Sequence, residues 1–133
     1  MASSPRLMSL LILVLSSHVT LTNALRLWGL RAVGLPGDAL GNRPDPYVTV
    51  WCDGLIGGKT EVITGTHNPT WNKGFSLSCK TGATLKMEVW DKDIKYDDYL
   101  GVCTHRVSTT SGTGKELTCT SLKKGTFYYR YNV

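Results

Sequence analysis

The sequence predicts an all-β protein, an eight-stranded antiparallel β-sandwich. Short runs rich in β-branched and aromatic residues recur between turn residues, and within each run apolar side chains alternate with others. A sandwich strand buries one face and exposes the other, which produces this alternation. Helical periodicity is absent after the first 24 residues. The predicted strands are residues 25–33, 47–52, 59–63, 75–79, 85–90, 100–107, 116–120 and 127–131.

The chain begins with a predicted secretory signal peptide over residues 1–24. Arg6 precedes an apolar run, residues 7–15, and small polar residues follow as far as Ala24, after which we expect cleavage. The run is shorter than the ~20 apolar residues that cross a bilayer. The remaining residues, 25–133, form one predicted domain with a single core. We therefore expect a secreted, extracellular protein.

Turn-forming residues separate the predicted strands in order along the chain. The first strand ends before a Gly-Leu-Pro-Gly-Asp segment, and Asp45-Pro46 directly precedes the second. Asn68-Pro69 forms a turn between the third and the fourth strands. Trp90-Asp91 ends the fifth strand, and a Ser/Thr/Gly loop over residues 108–115 follows the sixth. The acidic segments therefore lie in loops at the ends of strands.

Aspartates are concentrated in two of these loops, although the whole chain has only 10 acidic residues. Like charges crowd together at a cost unless a cation holds them. Carboxylate oxygens without interleaved Cys or His are the ligands that calcium prefers. If the two loops lie at the same end of the sandwich, their carboxylates converge on a calcium site. The aspartates are Asp38 and Asp45 in the first cluster and Asp91, Asp93, Asp97 and Asp98 in the second.

Composition argues against several classes of function. The formal net charge is +5, and the chain outside the aspartate clusters is basic, which suits anionic lipid head groups. The predicted signal peptide disfavours nucleic acid as a partner. His67 and His105 belong to no nucleophile–base pattern, so we expect no enzyme.

The four cysteines all lie after the predicted signal peptide. An even number of cysteines in a small secreted domain favours disulfides over zinc, and no Cys-x-x-Cys spacing is present. Four cysteines allow three connectivities, and the residues alone leave all three open. The cysteines are Cys52, Cys79, Cys103 and Cys119.

Three segments of the sequence resemble the C2 domain family of calcium- and lipid-binding sandwiches. They are Asp-Pro-Tyr-Val at 45–48, Asn-Pro-Thr-Trp-Asn at 68–72, and Val-Trp-Asp-Lys-Asp at 89–93, which is followed by Asp-Tyr-Leu-Gly at 98–101. The resemblance implies a Greek-key sandwich with its calcium-binding loops at one end. Within the family, residues 29–38 and 100–103 are similar to the C2 domain of perforin, a secreted pore-forming protein. A stand-alone, secreted module acting in host defence is therefore implied.

The resemblance also implies the calcium ligands, residue by residue. The first loop is one residue longer and the third loop one residue shorter than the family pattern. Both Asp97 and Asp98 therefore stay open as the final ligand of the third loop. The implied set is the carboxylates of Asp38, Asp45, Asp91, Asp93 and Asp98 or Asp97, with backbone carbonyls near Gly37 and Lys92.

Two further sets of residues follow from the resemblance. The family topology implies a Cys52–Cys79 bridge between the sheets and a Cys103–Cys119 bridge from the strand after the third loop to the next. Apolar and tyrosine side chains beside the aspartates are the predicted membrane contacts, although inward packing stays an alternative for Leu35. These contacts are Leu35, Leu40, Ile94, Tyr96 and Tyr99.

The predicted function is calcium-dependent binding to phospholipid membranes by a secreted, monomeric protein, which associates peripherally with the membrane when calcium is bound. A pore-forming protein or a receptor is the predicted protein partner, if there is one. The alternative is a secreted protein-binding domain in which calcium only orders the loops. Its partner would bind the basic faces or the edge strand near residues 127–131.

Overall fold

The computed structural model describes residues 24–133, and residues 1–23 of the predicted signal peptide lie outside the described part. Residues 24–133 form two antiparallel four-stranded sheets, which confirms the predicted sandwich. The strands are β1 Ala24–Val33, β2 Pro46–Cys52, β3 Leu55–Lys59, β4 Phe75–Ser78, β5 Thr84–Asp91, β6 Asp98–Arg106, β7 Leu117–Cys119 and β8 Thr126–Asn132. One sheet has the order β4-β1-β8-β7 and the other β3-β2-β5-β6.

The third strand was predicted at residues 59–63, and this prediction is wrong because β3 is Leu55–Lys59. Asp53 and Gly54 have φ angles of 46° and 80°, so they form a two-residue turn that returns the chain directly along β2. The segment Leu-Ile-Gly-Gly that follows does not alternate apolar and polar residues. The alternation rule therefore missed this edge strand.

Apolar side chains from both sheets fill the space between them. Leu85, Met87 and Val89 alternate along the inner face of β5, and all three are completely buried. Trp71, in the loop before β4, is also buried and donates a hydrogen bond from Nε1 to the carbonyl of Pro46 at 3.1 Å. The start of β2 is therefore fixed to the core.

Two disulfides connect parts of the sandwich, with the pairings that the family resemblance implied. Cys52 at the end of β2 is bonded to Cys79 after β4, with a Cα–Cα distance of 5.8 Å. Cys103 of β6 is bonded to Cys119 of β7, with a Cα–Cα distance of 6.1 Å. Each bridge joins one sheet to the other.

The two ends of the described chain lie side by side. Arg26 of β1 is paired with Asn132 of β8, at the end of the sandwich opposite to the start of β2. Within residues 24–133 there is no helix of the length and apolar character that crossing a membrane requires.

Candidate functional site

Strand pairing brings the two aspartate-bearing loops to the same end of the sandwich. Pro46 at the start of β2 is paired with Asp91 at the end of β5, and Asp91 is paired with Asp98 at the start of β6. The backbone N–H of Asp45 donates to Oδ1 of Asp91 at 2.8 Å, and that of Lys92 donates to the carbonyl of Asp45 at 2.9 Å. The β1–β2 and β5–β6 loops are thus joined at their bases.

A cleft of about 600 Å³ opens between the β1–β2 and β5–β6 loops. Five of the six predicted aspartates line it, so the carboxylates do share one cleft. We call it the acidic cleft. Its lining consists of Asp38, Asn42, Arg43, Asp45, Asp91, Lys92, Asp93, Ile94 and Asp98.

Asp91 is buried at the base of the acidic cleft, where several negative charges act on it. Burial raises the pKa of its carboxyl group, and the charges of Asp45, Asp98 and Asp93 raise the pKa further. The hydrogen bond from the backbone of Asp45 opposes this rise. A cation in the cleft would stabilise the ionised form that these neighbours disfavour.

Asp38 is held by its own loop. Its Oδ1 accepts hydrogen bonds from the backbone N–H groups of Leu40 at 3.0 Å and Asn42 at 2.9 Å, and its Oδ2 accepts one from Nδ2 of Asn42 at 2.9 Å. The side-chain bond from Asn42 contributes most to lowering the pKa of Asp38. Gly37 makes the turn possible, because a Cβ there would stand 2.1 Å from the carbonyl oxygen of Asn42.

Asp97 does not line the acidic cleft, so its position does not support it as a ligand. Its Oδ1 accepts a hydrogen bond from the backbone N–H of Asp93 at 3.0 Å, and its Oδ2 accepts one from the hydroxyl of Tyr47. The bond from Asp93 contributes most to lowering the pKa of Asp97. Burial and then the contact with Asp97 raise the pKa of Tyr47 to about 12. The hydrogen bonds of Asp97 therefore stabilise the β5–β6 loop, whereas Asp98 lines the cleft.

The donor set of the acidic cleft fits calcium by its chemistry. It offers carboxylate oxygens from several aspartates without Cys or His, and a cation there would favour the ionised form of Asp91, whose pKa is raised by burial and by its acidic neighbours. Within residues 24–133, however, no three Asp, Glu, His or Cys side chains are grouped closely enough to hold a metal ion. Oxygens of Asp38 and Asp45 are engaged by N–H groups, those of Asn42 and Gly65 among them. Ion binding would therefore require the carboxylates of the cleft to move closer together.

Three of the five predicted membrane-contact residues project from the loops. Ile94 is 100% exposed, and Leu40 and Tyr96 are largely exposed. Tyr99 is half-buried on the outer face of β6, where its ring lies 5.2 Å from that of Trp90.

The predicted membrane contact at Leu35 is wrong, because its side chain is only 1% exposed. The backbone of Leu35 explains this inward position. Its N–H donates to the carbonyl of His67 at 2.9 Å, and its own carbonyl lies 2.7 Å from Nδ1 of His67. The chain is therefore held against the core beyond the end of β1.

Sequence reasoning missed two residues that shape the acidic cleft. Arg43 lines it and places a positive charge among the carboxylates, and Asn42 fixes Asp38. The signal available in the sequence was the Asn-Arg pair between the two aspartates of the first cluster.

Comparison with known proteins adds independent findings. A family model described as "C2 domain" matches residues 23–122. A solved structure described as "Structure of a C2 domain" has 38% sequence identity and a TM-score of 0.74, covering 82% of this chain and 96% of that chain.

Curated relatives resemble the chain over part of their length. It is 33% identical over 90 residues to a "Calcium-dependent lipid-binding protein" of Arabidopsis thaliana, covering 65% of this chain and 18% of that protein. It is 34% identical over 80 residues to "Extended synaptotagmin-1" of Homo sapiens, covering 59% of this chain and 7% of that protein. The chain thus spans less than a fifth of the length of either relative.

Proposed function

The chain belongs to the C2 domain family, and from this premise we propose that it is a secreted protein that binds phospholipid membranes when calcium is present. The observation that carries the proposal is the convergence of five aspartates on one cleft between loops with exposed apolar tips. The chain's similarity to a protein described as calcium-dependent and lipid-binding supports it. No residue of the cleft needs a catalytic role for this function.

Five carboxylates are the proposed calcium ligands. When bound, calcium supplies positive charge and coordination positions that lipid phosphate oxygens can fill. Without that charge the acidic cleft repels anionic head groups. Calcium binding and lipid binding therefore strengthen each other, because coupling between two sites is reciprocal. The proposed ligands are Asp38, Asp45, Asp91, Asp93 and Asp98, with carbonyls of Gly37 and Lys92 as further oxygen donors.

The loop tips give the membrane-bound state its apolar contacts. Leu40 projects from the β1–β2 loop and Ile94 and Tyr96 from the β5–β6 loop, so the tips flank the acidic cleft on two sides. Once the cleft is neutralised, these side chains can enter the interfacial region of a bilayer. These apolar contacts then add to the membrane affinity that the charge of bound calcium provides.

Secretion and a role in host defence complete the proposal. The predicted signal peptide supports secretion, and two disulfides are consistent with an oxidising compartment. The similarity of residues 29–38 to perforin supports host defence. Expression of the full chain in cultured secretory cells tests secretion, and we expect protein in the medium that begins at Leu25. Protein kept in the cell with residues 1–24 intact would contradict it.

The function is tested by co-sedimentation with vesicles of phosphatidylserine and phosphatidylcholine, in EGTA and across a calcium titration. We expect pelleting to need calcium, at ~10⁻⁴–10⁻³ M as in other extracellular modules. Asp91→Asn should abolish it. Equal binding in EGTA and in calcium would contradict the proposal.

Ile94→Ser separates lipid binding from the protein-binding alternative. A lipid-binding protein should lose vesicle association while its calcium affinity stays within about twofold, because Ile94 is fully exposed and carries no ligand oxygen in its side chain. A protein that binds calcium but ignores vesicles in both forms would favour the alternative.

A further inference from the structure

The outer face of the β3-β2-β5-β6 sheet carries a groove of about 500 Å³ that is lined by aromatic side chains. It adjoins the acidic cleft, because Lys92 lines both. Aromatic rings gathered with a few polar groups in one concavity are typical of ligand sites. We call it the aromatic groove, and its aromatic residues are Tyr47, Trp51, Trp90 and Tyr96.

The two tryptophans stand at separate positions along the aromatic groove. Trp90 of β5 is paired with Tyr47 of β2, and Trp51 lies four residues further along β2. At ~3.3 Å per residue, the backbone positions of the two indoles are therefore about 13 Å apart along the strands. This spacing suits a ligand made of several ring units better than a single small ring.

Both indoles are positioned by contacts within the sheet. Nε1 of Trp90 donates to Oγ1 of Thr49 at 3.2 Å, and the Trp90 ring meets the ring of Tyr99 edge-on with a centroid distance of 5.2 Å. Nζ of Lys86 lies 5.0 Å from the centre of the Trp51 ring. Side chains that are already positioned lose little conformational entropy when a ligand binds, which favours affinity.

Trp51 also carries a hydrogen-bond donor without an acceptor. Its Nε1 is the only buried side-chain nitrogen or oxygen of residues 24–133 that has no hydrogen-bond partner. Such a group costs free energy, and native proteins contain few of them. The Trp51 ring as a whole is half-buried, so a small rotation would offer this N–H to an oxygen of a ligand in the groove.

Charged side chains of both signs share the aromatic groove. Glu88 and Asp97 are its acids and Lys92 and Lys95 its bases, so the formal charges of the lining cancel. Glu88 is half-buried, and its Oε1 accepts a long hydrogen bond, 3.3 Å, from the hydroxyl of Thr49. Carboxylates only accept hydrogen bonds and ammonium groups only donate them. The occupant that fits is therefore neutral and has groups that both donate and accept.

This requirement separates three kinds of ligand. A phosphate group brings negative charge and no donor, so the two carboxylates disfavour it. A proline-rich segment stacks on aromatic rings, but its prolines offer no N–H to the carboxylates. A sugar ring has an apolar C–H face that packs on an indole, and hydroxyl groups around its rim that donate and accept.

We propose that the aromatic groove is a binding site for a neutral, β-linked oligosaccharide of several sugar units. Trp51 and Trp90 pack against the faces of two rings, and Glu88 accepts hydrogen bonds from hydroxyl groups between them. A β-linked chain is extended and presents its ring faces, which suits an open groove along a sheet. The site works without calcium, because none of the aspartates proposed as calcium ligands lines it.

The indole N–H signals in the NMR spectrum of nitrogen-labelled protein, purified from cells expressing the full chain, test the site. The chain has four tryptophans, of which Trp71 is buried in the core and Trp28 lies on the other sheet. Titration with cellotetraose or chitotetraose in EGTA should shift the signals of Trp51 and Trp90 and leave those of Trp28 and Trp71 in place. Absence of a shift at Trp51 and Trp90 with both sugars at ~10 mM would overturn the proposal.

Substitutions test the two kinds of contact in calorimetric titration with the sugar that binds more tightly. Trp51→Ala should weaken binding at least about tenfold, and Glu88→Ala about fivefold. Trp28→Ala is the matched control, because it removes a half-buried indole from the other sheet, and it should change the affinity less than about twofold. Thermal unfolding checks that each variant is folded. Wild-type affinity in the Trp51→Ala variant, or an equal loss in Trp28→Ala, would overturn the proposal.

Two other ligands serve as competitors in the NMR titration. If inositol trisphosphate shifts the signals of Trp51 and Trp90 at a lower concentration than either sugar, the groove is an anion site and the proposal is wrong. If a proline-rich peptide does so, the occupant is a peptide and the proposal is equally wrong. All of these titrations are made in EGTA, so their outcome is separate from that of the calcium-dependent membrane binding proposed above.

Discussion

The position of Asp91 in the acidic cleft is fixed by the fold, and this position changes the pKa of its carboxyl group. It is the last residue of β5, so the strand fixes its backbone, while the N–H of Asp45 fixes one of its oxygens at 2.8 Å. Burial raises its pKa, and so do three neighbouring carboxylates. A cation in the cleft would offset these effects and favour the ionised form of this carboxyl group.

Neighbouring aspartates provide a residue-scale prediction. Asp98→Asn should weaken calcium binding at least about tenfold, because Asp98 lines the acidic cleft and the substitution removes an anionic ligand. Asp97→Asn is the matched control and should change the affinity less than about threefold, since an amide oxygen can still accept the N–H of Asp93. Isothermal titration calorimetry measures both. The reverse order of effects would show that the β5–β6 loop rearranges to use Asp97.

The choice between Asp97 and Asp98 also shows a limit of the sequence. Counting back from Gly101 selects Asp98, whereas counting forward from Asp93 leaves both Asp97 and Asp98 open. Two contacts between strands favour Asp98 as the proposed ligand, the pairing of Asp98 with Asp91 and the hydrogen bond from Tyr47 to Asp97. Neither contact is encoded in local spacing, because both partners lie on other strands.

At the scale of elements, a polar network joins β6 to β8 across the interior. Nδ1 of His105 lies 2.9 Å from the hydroxyl of Tyr129, and Nε2 lies 2.9 Å from the hydroxyl of Tyr131 and 3.0 Å from Oγ of Ser111. β6 and β8 belong to different sheets, so this network fastens one to the other. Burial lowers the pKa of His105 and raises that of Tyr129 to about 12.

This network makes stability depend on pH. Because the folded pKa of His105 lies below its ordinary value of 6.5, the unfolded chain binds more protons between the two values. The free energy of unfolding should be highest above pH ~6.5 and fall as the pH drops toward the folded pKa. Urea unfolding at a series of pH values measures this. His105→Gln should make the free energy of unfolding depend less on pH below ~6.5. If the variant shows the same pH dependence as the wild type, other groups cause it.

The elements differ in how well the sequence predicted them. Strands with alternating burial, such as β2 and β5, were found within about one residue of their bounds. β3 was missed because an edge strand buries little on either face and two of its five residues are glycine. The aspartate clusters were found because their residue type is unusual, whereas the inward turn of Leu35 depends on His67, which lies 32 residues away.

For the whole molecule, two disulfides each join one sheet to the other, and they close loops of different length. The Cys52–Cys79 bridge spans 27 residues and the Cys103–Cys119 bridge spans 16. A longer loop loses more chain entropy when it is closed in the unfolded state, so the first bridge should stabilise the fold slightly more.

Removing the first bridge tests this whole-molecule role. Cys52→Ala with Cys79→Ala should lower the free energy of unfolding by about 2–4 kcal/mol in chemical denaturation. Calcium affinity should stay within about twofold, because the bridge lies at the end opposite the acidic cleft. A large loss of calcium binding with the fold retained would show that the two ends are coupled.

The pairing of Arg26 with Asn132 has a practical consequence for presenting the molecule on a surface. Residues 24 and 133 both lie opposite the acidic cleft, so a domain of residues 24–133 attached through either end holds its cleft toward the solution. An immobilised layer would therefore test the proposed calcium-dependent lipid binding with the molecules in uniform orientation.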